Sequence, residues 1–102
     1  MHFREKSPMD EVEIIKNTNK ISDDWEIIEN HHLQRIWNFP DFKEALKFLN
    51  ATAEICEKEN HHANYELGWG FVKTLIWTHD VDGLTKNDFE LAIKFEKVLT
   101  NE

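Results

Sequence analysis

The sequence predicts an α+β domain: a four-stranded antiparallel sheet with three helices on one face, in the order α-β-β-α-β-β-α. Three observations carry that prediction. The apolar period switches from 2 to 3.6 at Pro40-Asp41-Phe42. A strand–turn–strand pattern lies on either side of the helix that follows. The last segment opens with Thr85-Lys86-Asn87-Asp88, which matches a capping box.

In chain order, residues 1–7 are expected to be flexible. Ser7-Pro8-Met9-Asp10 then reads as a helix start, with Ser7 as N-cap, Pro8 at the first helical position and Asp10 three residues after the cap. Val12, Ile14 and Ile15 give this short helix apolar surface, and Asn17-Thr18-Asn19 ends it. Residues 25–29 read as a strand, 30–32 as a turn and 33–39 as the returning strand. Leu33, Arg35, Trp37 and Phe39 share one face of it, and Gln34, Ile36 and Asn38 the other. Asp41 is the expected N-cap of the central helix, which runs to about Lys58. Its predicted core face is Phe42, Ala45, Leu46, Leu49, Ala53 and Cys56, with Lys43, Glu44, Lys47 and Asn50 opposite. Tyr65, Leu67 and Trp69 then alternate with Asn64, Glu66 and Gly68 as a strand. Gly68 and Gly70 are expected to supply positive φ at a tight turn, and residues 71–78 return as a strand with apolar residues on both faces. Neither face should therefore be fully solvated, which suggests contacts in an oligomer. In the final helix Leu84 before the cap and Phe89 form a hydrophobic staple, and Leu91, Ala92, Phe95, Val98 and Leu99 make the buried face.

Composition narrows the function classes. The 102 residues amount to one domain, spanning 1–102, and twelve aromatic residues make a small core credible. A formal net charge of −8 disfavours capture of nucleic acid or anionic lipid, which need a basic face. One cysteine, Cys56, cannot form an internal disulfide, which fits a reducing, cytoplasmic setting. No apolar leader or membrane span is visible.

The chemistry-bearing residues are Glu57, the His61-His62 doublet, His79 and Asp88. Imidazole titrates near neutrality, so clustered histidines suit proton transfer in both directions. Register predicts that they meet. With the turn centred near residue 70, paired positions sum to about 139–141, so His79 lies opposite Asn60, His61 or His62. Successive residues of an extended segment point to opposite faces, so the doublet need not face one pocket as a pair. Asp88 opens a helix just past His79, and Glu57 lies one helical turn before the doublet. Cys56 reads as core packing. His31 and His32 read as turn residues with no partner. A metal is not expected: adjacent histidines seldom bind one ion from a strand, and no His-x-His or His-x₃-His spacing is present.

Taken together, Glu57-x₃-His61-His62, Trp69, Thr78-His79-Asp80 and Gly83-Leu84-Thr85-x₂-Asp88 resemble the pterin-4a-carbinolamine dehydratases. Those proteins are known in animals also as dimerization cofactors of a homeodomain transcription factor. The likeness continues more weakly through Trp25 and Phe39-Pro40-Asp41-Phe42-Lys43-Glu44-Ala45, covering roughly residues 10 to 99. The resemblance implies the same sheet-and-helices fold, assembly as a homodimer or homotetramer, and dehydration of 4a-hydroxytetrahydropterin to quinonoid dihydropterin in tetrahydrobiopterin recycling. It implies His61, His62 and His79 as catalytic residues, with Glu57, Ala63, Trp69 and Asp88 on the substrate side. Pterin is then the substrate, with no cofactor and no metal. A non-catalytic pterin-binding or coactivator-like scaffold is the alternative it leaves open. Two departures stand out: Ala63 where the family usually has Pro, and Trp77 where it usually has a small polar residue.

Overall fold

Asp10, not Ser7, opens the first helix. In the computed structural model, which describes residues 7–100, helix α1 spans Glu11–Thr18. The Glu13 N–H donates to Asp10 Oδ1 at 2.9 Å, and Glu13 Oε1 accepts from the Asp10 N–H, a complete capping box. Ser7-Pro8-Met9 stays outside because the Met9 N–H donates to the Leu84 carbonyl at 2.7 Å, tying this segment to the loop before the last helix. Of the expected flexible residues 1–7, only Ser7 is among those described. Ile14 is the buried apolar residue of α1, while Val12 and Ile15 are exposed.

Strands β1 (Glu26–Ile28) and β2 (His32–Asn38) form the first hairpin. Glu29 and Asn30 take left-handed φ of 53° and 55°, and the His31 N–H donates to the Ile28 carbonyl at 2.8 Å, so the turn is residues 29–31 and His32 belongs to β2. Helix α2 (Phe42–Glu59) follows, capped by Asp41 as expected, with Asp41 Oδ1 accepting from the Glu44 N–H at 2.8 Å. Strands β3 (Asn64–Gly68) and β4 (Phe71–Ile76) make the second hairpin, a 3₁₀ turn spans His79–Val81, and α3 runs Lys86–Thr100. The sheet order is β1-β2-β4-β3, antiparallel throughout, so the two hairpins meet along β2 and β4 with Leu33 opposite Ile76 and Trp37 opposite Val72.

Leu33, Trp37, Val72 and Ile76 project from the sheet into a core closed by Ala45, Phe48 and Cys56 of α2 and Phe89, Ala92 and Phe95 of α3. Each large apolar side chain buried there contributes about 1.5–3 kcal/mol. Arg35 shares the inward face of β2 without an unpaired buried charge: its guanidinium lies 3.7 Å from the Trp37 ring centroid and reaches Asp24 at 3.3 Å.

Three expectations are corrected. The buried face of α2 is Ala45, Phe48, Thr52 and Cys56, whereas Phe42 and Leu46 are 48% and 37% exposed. Phe48 turns inward because it stacks on Trp37 and Phe39, with centroids 4.6 and 5.2 Å away. Thr52 turns inward because its hydroxyl accepts from Tyr65 Oη at 2.8 Å. Phe42, Leu46 and Ala53 therefore form a second, outer apolar stripe. The β3–β4 turn has no positive-φ glycine. Gly68 is needed for space instead, since the Phe71 ring occupies the position a Cβ would take. Leu99, expected in the core, is exposed, lining an open surface groove beside Arg35, Trp37 and Asn38.

Candidate active site

Helix α2 ends in a way that decides where the histidine doublet goes. Asn60 adopts the left-handed conformation (φ 52°, ψ 41°), and the His61 N–H donates to the Cys56 carbonyl at 3.1 Å. This closure ends the helix and brings His61 to the first turn of α3, where Asp88 lies. A residue other than Gly or Asn pays a steric cost in this conformation. Asn60→Ala is therefore expected to lower the unfolding free energy by about 1 kcal/mol, with Asn60→Gly close to neutral, as read from urea denaturation midpoints.

The doublet splits. His61 has 11% of its side chain exposed and its Nε2 lies 2.6 Å from Asp88 Oδ1. His62 is half exposed and its Nε2 meets Glu57 Oε2 at 2.5 Å, on the outer side of the helix end. The alternation expected of an extended segment thus sends one ring inward and one outward.

Asp88 is the centre of the inner cluster and is fully buried. Its Oδ2 accepts from the Thr85 N–H at 2.8 Å, the N-cap contact expected of a capping box, and from Thr78 Oγ1 at 2.9 Å. Thr78 spends its proton on Asp88, so in its 2.8 Å contact with Thr85 Oγ1 it accepts, and Thr85 donates. Oδ1 is left for His61. Because a carboxylate only accepts, His61 carries a proton on Nε2, which makes Nδ1 the proton-accepting nitrogen of the neutral ring.

The ladder argument for His79 holds in register and fails in extent. Pairing ends at Asn64 opposite Leu75, a sum of 139, and β4 stops at Ile76, two residues earlier than expected. His79 is consequently not a strand residue opposite the doublet. It begins the 3₁₀ turn, exposed, in a loop closed by the Thr78–Gly83 bridge. It nonetheless follows directly on Thr78, which bonds Asp88, so its Cα lies about 3.8 Å from that of a residue in the inner cluster. Its ring packs edge-on against Trp77, centroids 4.5 Å apart.

Ala63, half-buried, joins the doublet to β3. Trp69 does not join the cluster within one chain. It sits at the closed end of the hairpin, 73% exposed, and the five residues of β3 separate it from the histidines by roughly 15 Å. His31 and His32, expected to lack partners, have several. Their Nδ1 atoms are 3.0 Å apart, His31 Nε2 lies 2.8 Å from Asp82 Oδ1, and both rings lie against Trp77. Burial, then the neighbouring His31, pushes His32 below the ordinary histidine value. Sequence reasoning missed this group because it joins two turns whose approach depends on the β2–β4 pairing. Thr78 and Thr85 were also missed as site residues; both flank motifs that had drawn attention to His79 and Asp88.

Comparison with known proteins follows the same residues. The family model described as pterin 4 alpha carbinolamine dehydratase matches residues 7–98. A protein of Alkaliphilus metalliredigens, provisionally named a pterin-4-alpha-carbinolamine dehydratase, is 40% identical over 90 residues, covering 88% of this chain and 81% of that one. A Rickettsia canadensis protein with the same provisional name is 43% identical over 89 residues, covering 87% and 82%. A crystal structure from Brucella melitensis, described as a transcriptional coactivator/pterin dehydratase, superposes with a TM-score of 0.83 at 25% identity, over 90% of this chain and 98% of that one.

Proposed function

The chain belongs to the pterin-4a-carbinolamine dehydratase family, and on that premise we propose that it is a hydro-lyase dehydrating 4a-hydroxytetrahydropterin by histidine acid–base catalysis. The observation that carries this reading is the His61–Asp88 pair at 2.6 Å, an imidazole backed by a fully buried carboxylate. Dehydration breaks the C4a–O bond and forms a C4a=N5 double bond. One proton must reach the departing hydroxyl and one must leave N5. His61 takes the N5 proton at Nδ1, while Asp88 holds Nε2–H and stabilises the resulting imidazolium. His79 donates to the 4a-hydroxyl, which departs as water. The protons balance, and each imidazole ends in the state in which the other began. His62, held by Glu57, binds the pterin at the rim. The pterin is the substrate, and this chemistry uses no separate cofactor or metal.

The place of the reaction is tetrahydrobiopterin recycling in the cytoplasm. Homodimers or homotetramers fit the same reading, supported by exposed Ile36 on the outer sheet face and by Phe42 and Leu46 on α2. The description of the Brucella structure favours a coactivator-like role as a second reading, acting through those same outer surfaces. Among the described residues no helix is long and apolar enough to cross a membrane.

The test is a stopped assay of enzymatically generated 4a-hydroxytetrahydropterin. The protein is expected to accelerate loss of the carbinolamine absorbance well above the spontaneous rate. Decay at the spontaneous rate, with a pterin analogue still bound, would overturn the catalytic reading and favour the scaffold.

A further inference from the structure

Two turns from opposite halves of the chain meet beside His79. One is the β1–β2 turn with His31 and the first residue of β2, His32. The other is the loop between Thr78 and Gly83, which carries His79 at one shoulder and Asp82 at the other. Asp82 shapes that loop from within: its φ is 52°, and its N–H closes the 3₁₀ turn on the His79 carbonyl at 3.2 Å. Its side chain reaches outward to His31 Nε2 at 2.8 Å. Trp77 makes the second link, with ring centroids 5.3 Å from His31, 5.7 Å from His32 and 4.5 Å from His79.

We propose that Trp77, braced by the Asp82-anchored His31–His32 pair, is a positioning residue that holds the His79 imidazole in the orientation its proton transfer needs. This rests on the reading of His79 as an acid–base group. The chain of contacts is directional. Asp82 accepts from His31 Nε2–H, so neutral His31 accepts at Nδ1 from the Nδ1–H of His32. Both imidazole planes are thereby set, and both rings lie against the indole, tilted to it by 44° and 52°. Trp77 in turn meets the His79 ring at 68°, an edge-on contact of the kind aromatic quadrupoles favour. An exposed histidine on a four-residue loop would otherwise sample several rotamers, and proton transfer falls steeply with misplacement of the donor. Burial and then His31 push His32 below the ordinary histidine value, which favours the neutral ring this hydrogen bond uses.

The experiment compares wild type, Trp77→Ala, Trp77→Phe and Asp82→Asn by NMR side-chain couplings of His79, and by kcat and KM for the carbinolamine. In wild type and Trp77→Phe the couplings should report one rotamer; in Trp77→Ala they should average. Trp77→Ala is expected to lose about 10- to 100-fold in kcat with KM nearly unchanged, and Trp77→Phe to recover most of it. Asp82→Asn, at an exposed side chain, should give a smaller loss of the same kind without unfolding risk. Unchanged couplings in Trp77→Ala overturn the proposal, as does equal impairment of the Ala and Phe variants, since an aromatic ring at position 77 would then not suffice to hold His79. A wild type without turnover defeats the dehydratase reading instead, and the couplings alone then decide whether Trp77 holds His79.

Discussion

His61→Ala is expected to slow carbinolamine dehydration by about 10²- to 10⁴-fold, the range associated with loss of a positioned acid or base. The whole loss should appear in kcat, because in the proposed mechanism the ring acts on a proton in the transition state rather than on ground-state binding. Truncation also leaves Asp88 Oδ1 without its 2.6 Å partner, so a small stability loss accompanies it. His61→Gln separates the two effects. Its amide can still donate to Asp88 but cannot carry a proton between substrate and solvent. It should therefore be nearly as slow as Ala while melting closer to wild type. A His61→Gln rate within threefold of wild type would remove His61 from the acid–base role.

Asp88 carries the second large effect. One carboxylate receives the Thr85 N–H, the Thr78 hydroxyl and His61 Nε2–H, with no exposure to water. Asp88→Ala strands all three groups in the interior, and unsatisfied buried donors cost about 1–3 kcal/mol each. A net loss of about 2–5 kcal/mol is expected, a large share of the roughly 5–15 kcal/mol that stabilises a typical domain. Asp88→Asn keeps one carbonyl acceptor but turns an amide NH₂, a donor only, toward the remaining donors. It should cost less in stability and about 10- to 100-fold in kcat, because the tautomer and orientation of His61 are no longer enforced. Urea denaturation beside turnover at one pH measures both. Equal stabilities of wild type and Asp88→Ala would show that the buried cluster is not a structural keystone.

The element order was legible in the sequence because the local signals agreed with one another. Asp41 does cap α2, Asp88 does reach back to Thr85, and the alternation in residues 33–39 did assign the faces of β2. Such agreement between cap, period and turn is what a foldable sequence offers. The misreadings share a different cause. Ser7 and Asp10 compete for one helix start, and a hydrogen bond from Met9 to Leu84, far away in sequence, decides between them. The two apolar stripes of α2 cannot be ranked without knowing that Phe48 meets Trp37 and that Thr52 meets Tyr65. A threonine reads as solvent-facing by type and is buried here through its hydroxyl. Gly68 and Gly70 suggested backbone freedom, whereas the neighbouring Phe71 ring explains Gly68 by volume.

The site was legible in part for the same reason. The hairpin register was right, with pairs summing to 139, but a register does not say where a ladder stops. His79 left the strand after Ile76, so its neighbourhood with His61 comes through Thr78 and Asp88 rather than across paired backbones. Trp69, named by resemblance, lies at the other end of that hairpin.

Asp88 also settles how this molecule should lose activity. Its three partners come from positions 61, 78 and 85, on both sides of a hairpin and at the head of a helix. No fragment that lacks any of those pieces can hold the carboxylate in place. The Asp88 cluster therefore has no local fraying mode of its own, and loss of the His61–Asp88 pair on heating should coincide with cooperative melting rather than precede it. The enzyme is in that sense its own reporter: a working molecule is one in which the second hairpin, the end of α2 and the start of α3 are all assembled.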